Sequence, residues 1–139
     1  MFIALKGDTF NGNAFALQAL EKGCRYAVVD EVQYVEEGNP HIILVDDCLT
    51  TLQQLANEHR RNLDTCVIGI TGTNGKTTTK ELIAAALGQK YNVLYTQGNL
   101  NNHIGVPLTL LRLNKEHDFA VVEMGANHQK EIEFLCSIA

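Results

Sequence analysis

Gly75-Lys76-Thr77 brings together the two side chains that a nucleoside triphosphate needs. A lysine supplies a mobile positive charge for the phosphates, and a threonine hydroxyl can ligate the Mg²⁺ that travels with them. They sit in the stretch Thr71-Gly72-Thr73-Asn74-Gly75-Lys76-Thr77-Thr78. Backbone N–H groups of Gly72, Thr73, Asn74, Gly75, Lys76, Thr77 and Thr78 can line an anion cradle, reinforced by the N-terminus of a following helix. The general P-loop pattern places a glycine five residues before Gly75, but Ile70 stands there. What remains is a shorter form, Gly-x-x-Gly-Lys-Thr from Gly72 to Thr77. A plain glycine turn capping a helix explains the glycines alone; strand, turn, lysine, threonine and helix agree only for a phosphate loop.

A second group of residues converges on this cradle if the elements around it form a parallel sheet. Cys66–Ile70 reads as the strand before the loop, and Thr79–Leu87 as the helix after it, which Gly88 can end. Asn92–Thr96 reads as a further strand. The loop Gln97–Pro107 follows, and Pro107 lies near the start of a helix through Leu113. Phe119–Glu123 is the third strand and leads into Met124-Gly125-Ala126-Asn127-His128. Ligands of such sheets bind outside the carboxyl ends of the strands. Glu123, an acid ending an apolar strand downstream of a phosphate loop, is therefore placed to hold Mg²⁺; the competing reading is a strand-end acid facing water. Asn99, Asn101 and Asn102 offer donors and acceptors without charge, suited to a polar substrate or, equally, to ordinary turns. His128 could bind metal or substrate, although a lone loop histidine more often does neither.

The amino-terminal part repeats the rhythm on a smaller scale. Phe2–Leu5 reads as a short strand, 6–13 as a loop, Ala14–Lys22 as a helix closed by Gly23, and Tyr26–Val29 and Ile42–Val45 as strands covered on both faces. Thr51–Gln54 has capping-box spacing, and Leu52, Leu55, Ala56 and Leu63 share a helical face. Polar residues 60–65 suit a boundary, which gives domains 1–63 and 64–139. The fold class is α/β: a small α/β substrate domain, then part of a P-loop-type parallel-sheet ATPase domain.

Composition narrows the function classes. With a net charge of −5 and interspersed signs, the chain has no footprint for nucleic acid or membrane surface. Cys24, Cys48, Cys66 and Cys136 share no metal or redox spacing; three lie in or beside apolar runs and read as small buried hydrophobes, compatible with a reducing cytoplasm. No signal peptide or membrane-long apolar run is visible. Both ends look cut, the last residues stopping inside a helical pattern, so the chain reads as a fragment.

Gly-Thr-Asn-Gly-Lys-Thr after an apolar strand resembles the ATP loop of the Mur ligases and their relatives, folylpolyglutamate synthase and cyanophycin synthetase. Residues 98–107 (Gly-Asn-Leu-Asn-Asn-His-Ile-Gly-Val-Pro) and Glu123–His128 are similar to the MurF-type branch, and Phe2–Gly7 with Asn11-Gly12 resembles its amino-terminal domain, which the MurE type shares in similar form. The resemblance implies a three-domain, ATP-dependent amide ligase of peptidoglycan synthesis. ATP would phosphorylate the carboxylate of UDP-N-acetylmuramoyl-tripeptide, and D-alanyl-D-alanine would attack the acyl phosphate, leaving ADP and phosphate. It further implies Lys76 on the β- and γ-phosphates, Thr77 and Glu123 on Mg²⁺, and Asn99, Asn101 and Asn102 facing the nucleotide-sugar peptide. Asn11 would belong to the domain that holds the uridine end.

The chain departs from that family where an upstream Asp-Ser-Arg segment, a carbamylated lysine and the D-alanyl-D-alanine domain are expected, so this stretch by itself is expected to lack turnover. Lys130 also stands where glycine is expected. Two other readings stay open: a MurE-type ligase adding a diamino acid, and a nucleotide-binding module without ligase chemistry. A P-loop kinase is disfavoured by the short loop and the lack of a lid sequence.

Overall fold

The structure, a computed structural model, describes residues 1–126 and 128–139. The chain divides into two compact units, Met1–Leu52 and Gln53–Ala139. Both are mixed α/β and carry parallel sheets.

The first unit runs β1 (Phe2–Ile3), a hairpin of β2 (Lys6–Gly7) and β3 (Phe10–Asn11), a 3₁₀ turn (Gly12–Phe15), α1 (Ala16–Glu21), β4 (Ala27–Val29) and β5 (Ile42–Leu44). The sheet β1-β4-β5 is parallel throughout, with Val28 opposite Ile3 and Ile43. α1 is shorter than the expected Ala14–Lys22 because Asn11 holds the 3₁₀ turn, its Oδ1 accepting from the Asn13 N–H at 3.0 Å. Gly23 closes it with φ +97°. β4 is covered on both faces, but β5 is not: Ile42 is buried, while Ile43 and Leu44 are 42% and 49% exposed. β5 pairs only with β4 among the described residues, so an apolar run here marks an edge rather than a central strand.

Helix α2 (Cys48–Arg61) starts earlier than the Thr51 spacing suggests. Asp47 caps it instead: its Oδ1 accepts from the Thr50 N–H at 2.6 Å. Leu52 and Ala56 are buried on one face and Leu55 is half-buried, as their spacing predicts, whereas Leu63 lies beyond the helix end at Arg61. Of the cysteines only Cys48 is fully buried; Cys24 is half-buried and Cys66 and Cys136 are exposed, so the reading as small buried hydrophobes holds for Cys48 alone.

The second unit holds β6 (Cys66–Ile70), α3 (Lys76–Leu87), β7 (Val93–Tyr95), α4 (Gly105–Leu110), β8 (Phe119–Glu123) and α5 (Glu131–Ile138). The parallel order β6-β8-β7 puts the last strand in the middle. β8 alternates Ala120 and Val122 toward one layer, with Leu94, Val106, Leu110, Leu135 and Ile138, and Val121 and Glu123 toward α3. Ala120, Val121 and Val122 are wholly buried, and burying a valine contributes roughly 1.5–3 kcal/mol. α3 thus lies on one face and α4 and α5 on the other. Adjacent strands β6 and β8 send their helices to opposite faces, which opens a crevice at their carboxyl ends.

Candidate functional site

Both loops that leave β6 and β8 enter that crevice. Glycine is required in the first of them: Gly72 has φ +145° and Gly75 φ +75°, the latter immediately before α3. Left-handed backbone at Gly75 lets strand turn into helix within six residues. The helix then opens on Lys76 and Thr77 and directs its free N–H groups at the crevice. Lys76 Nζ donates to the Gly72 carbonyl at 2.7 Å, folded back on its own loop. Gly72 to Gly75, Thr77 and Thr78 are exposed, as a surface that receives a ligand must be.

Glu123 does not face water. It is 3% exposed, and both carboxylate oxygens and the backbone N–H are hydrogen-bonded. Oε2 accepts from Thr77 Oγ1 at 3.0 Å, and Oε1 accepts from Asn101 Nδ2 at 3.0 Å. Its N–H donates to Thr96 Oγ1 at 2.9 Å. A buried carboxylate costs several kcal/mol in desolvation unless bonded in this way. Three loops therefore meet on one side chain, through Thr77, Asn101 and Glu123 itself. Gly125 keeps the junction open: a Cβ there would lie 3.2 Å from Asn101 Cγ and press on the amide that holds Glu123.

The three asparagines do different things. Asn101 holds Glu123, and its carbonyl accepts from the Gly125 N–H at 2.8 Å. Asn102 Oδ1 accepts from the N–H groups of Ile104 and Gly105 at 3.1 and 2.9 Å, at the start of α4. Asn99 is exposed, and its carbonyl accepts from the Asn101 N–H at 2.8 Å. Beside them a cavity of about 360 Å³ is lined by Asn102, His103, Gly125, His128, Glu131 and Phe134. His128 therefore faces the same hollow as Asn102, and its N–H donates to Glu131 Oε2 at 3.0 Å. Asn127, part of the same sequence motif, lies outside the described residues. A larger cavity, about 570 Å³, sits by Asn62, Thr65, His117 and Asp118 and holds none of the candidate site residues.

The chemistry of the donors suits Mg²⁺. Hydroxyl and carboxylate oxygens are the hard ligands that ion takes, and few are needed because it keeps several waters and binds phosphate oxygens as well. Thr77 Oγ1 and Glu123 Oε2 are adjacent, at the start of the helix that would face the phosphates.

In the first unit, Asn11 Nδ2 donates to Glu31 Oε1 at 3.1 Å, and its Oδ1 accepts from Asn13 Nδ2 at 2.9 Å. Asn13, 1% exposed, donates in turn to Asp30 Oδ1 at 2.8 Å, and Lys6 Nζ pairs with that oxygen at 3.0 Å. Burial favours the protonated form of Asp30, yet the hydrogen bonds from Asn13, Lys6 and the Cys48 N–H outweigh it and hold the carboxyl below its ordinary value. Burial, then the Asp30 charge, pushes the Cys48 thiol up to about 11, which leaves it inert as a nucleophile.

Sequence reasoning passed over Thr96 and Lys80. Thr96 is wholly buried, and Lys80 is 1% exposed with Nζ donating to the Thr96 carbonyl at 2.7 Å. The signal was available for Lys80, which lies on the same helical stripe as Ala84, Ile83 and Leu87.

Comparison with known proteins agrees with this geometry. The Mur ligase middle domain family matches residues 70–139. The UDP-N-acetylmuramoyl-tripeptide–D-alanyl-D-alanine ligase of Bacillus subtilis strain 168 is 48% identical over all of this chain, which covers 30% of that protein. The crystal structure of MurF ligase from Thermotoga maritima in complex with ADP superposes with TM-score 0.87 at 37% identity, over 99% of this chain and 32% of its own. Crystal structure II of MurF from Acinetobacter baumannii gives TM-score 0.88 at 41% identity, over 97% and 29%. The chain thus spans about 30% of the length of the curated relatives it matches. Family model, relatives and superposed structures agree, and the chain belongs to the Mur ligases, the middle-domain match beginning within its second unit.

Proposed function

We propose that the protein carrying these residues is an ATP-dependent amide ligase of the MurF type, joining D-alanyl-D-alanine to UDP-N-acetylmuramoyl-tripeptide in peptidoglycan synthesis. The observation that carries this reading is the meeting of Thr77 and Glu123 at 3.0 Å beside the glycine loop, in a chain whose relatives bear that ligase's name. Residues 64–139 form the ATP-binding part and residues 1–63, with Asn11, the part that holds the nucleotide-sugar end. A cytoplasmic location goes with this reading, since ATP and a nucleotide-linked peptide are its substrates.

Each residue has a task. Mg·ATP, when bound, supplies the phosphoryl group and neutralises part of its charge. N–H groups of Gly72–Thr78 line the phosphates. Lys76 leaves the Gly72 carbonyl for the β- and γ-phosphates, exchanging a neutral partner for an anionic one. Thr77 and Glu123 present oxygen to the metal, and Asn101 and Thr96 keep the carboxylate in one orientation. Asn99, Asn102 and the adjacent hollow face the peptide substrate, whose carboxylate must be held in line with the phosphoryl group.

The test is phosphate release by the intact protein with ATP, the tripeptide substrate and D-alanyl-D-alanine, abolished in Lys76→Ala. Release that instead requires the dipeptide precursor and a diamino acid would assign the MurE type. ATP binding without any turnover would leave a binding module.

A further inference from the structure

We infer that Lys80 is a positioning residue for Glu123, acting through Thr96. The inference rests on the reading of Glu123 as the carboxylate that meets the metal-bearing nucleotide. Lys80 occupies the middle of the buried stripe of α3, where Ala84 is its neighbour one turn on. An aliphatic side chain would fill that place with no polar group to satisfy, whereas a buried ammonium must be bonded. Nζ donates to the Thr96 carbonyl at 2.7 Å, pairs with Glu81 Oε1 at 3.1 Å and lies 5.7 Å from the Tyr95 ring centre.

Thr96 is the link. Its N–H donates to the Val121 carbonyl at 3.0 Å, its carbonyl accepts from Lys80, and its Oγ1 accepts from the Glu123 N–H. The residue therefore ties the end of β7 to the end of β8, and Lys80 ties both to α3. Three positions earlier on the same helix, Thr77 bonds the Glu123 carboxylate directly. α3 consequently grips Glu123 at two points: the carboxylate through Thr77, and the backbone through Lys80 and Thr96. The helix that presents Lys76 and Thr77 to the phosphates also sets where the metal-binding acid stands.

The experiment uses the intact protein with Lys80→Met, Thr96→Val and the double variant. ADP binding is measured by titration with Mg²⁺ and with chelator. Amide hydrogen exchange is followed in the nucleotide-free protein. In Lys80→Met the strengthening of ADP binding by Mg²⁺ falls about 10- to 100-fold, while metal-free ADP binding stays within about twofold. Exchange at the Glu123 amide accelerates relative to Ala120 and Val122. Thr96→Val, which keeps the carbonyl bonded by Lys80, shows the same loss, and the double variant is no worse than either single. A Lys80→Met protein that is destabilised yet keeps its Mg²⁺ strengthening and its Glu123 protection has lost only helix–sheet packing and overturns the inference. If Lys80→Met does not fold, an unchanged Mg²⁺ effect in Thr96→Val overturns it equally. Wild-type protein that binds ADP with no preference for Mg²⁺ removes the role of Glu123 itself, and with it both this inference and the ligase reading.

Discussion

Glu123→Gln separates the structural from the chemical role of the buried acid. The substitution keeps the shape, the Asn101 bond to Oε1 and the backbone bond to Thr96; the new amide nitrogen meets Thr77 Oγ1, which rotates to accept. Two charge-assisted bonds become neutral, each losing about 1 kcal/mol, so about 2 kcal/mol of bonding is lost. Burying a neutral amide rather than a carboxylate returns an amount of that order, since ion burial costs several kcal/mol. Stability should therefore change by about 1 kcal/mol or less in either direction. The metal site responds differently. At an effective dielectric near 20, one unit charge about 4 Å from a dication is worth about 8 kcal/mol, and water refilling the position recovers most of it. With two-thirds recovered, about 3 kcal/mol remains, roughly a 100-fold loss in the Mg²⁺-dependent part of nucleotide affinity. Urea unfolding and calorimetric titration of ADP, each with and without Mg²⁺, read the two effects apart. A variant that keeps its Mg²⁺ dependence, or that loses more than about 3 kcal/mol of stability, would refute this division of roles.

Three further predictions concern the framework. Lys130 holds φ +68°, the only positive φ outside glycine among the described residues, so Lys130→Gly should raise stability by about 1 kcal/mol or less, glycine's added unfolded-state entropy offsetting part of the relieved strain, as read by the urea midpoint. Asp47→Ala removes the acceptor for the Thr50 N–H and should cost about 1 kcal/mol in the same measurement. Asp30 binds its proton less readily folded than unfolded, so its stabilisation is fully present above the ordinary value of 3.8 and disappears as pH falls through the lower folded value. Asp30→Asn should accordingly be less stable than the parent at neutral pH, and the gap should narrow in acid; a gap constant from pH 7 to about 3 would contradict the linkage.

Much of the second unit was legible because its signals are local. Phe119–Glu123 is a strand with those bounds, since a run of Phe, Ala, Val and Val bounded by turn residues admits little else. The geometry of the Gly72–Gly75 turn likewise depends on neighbours in sequence: glycines for positive φ, then Lys76 and Thr77 at the helix start. What escaped depends on partners distant in the chain. Ile42–Leu44 looks central until the sheet order shows β4 as its one neighbour among the described residues. Lys80 lies on the buried stripe of α3, but its partner is visible only in the fold, where Thr96, sixteen residues on, packs against it. Asn101 and Asn102 are alike in sequence, yet one braces a carboxylate and the other the opening of α4. Lys130 is the opposite case: a glycine expected at that position is explained by the left-handed backbone found there.

Where the nucleotide sits decides what this site does. A crystal structure of the intact protein with Mg·ADP tests this most directly. The phosphates are predicted against the N–H groups of Gly72–Thr78, with Lys76 Nζ moved from the Gly72 carbonyl onto them and the metal on Thr77 and Glu123. ADP bound elsewhere, or a metal that leaves Glu123 bonded only to Thr77 and Asn101, would contradict it.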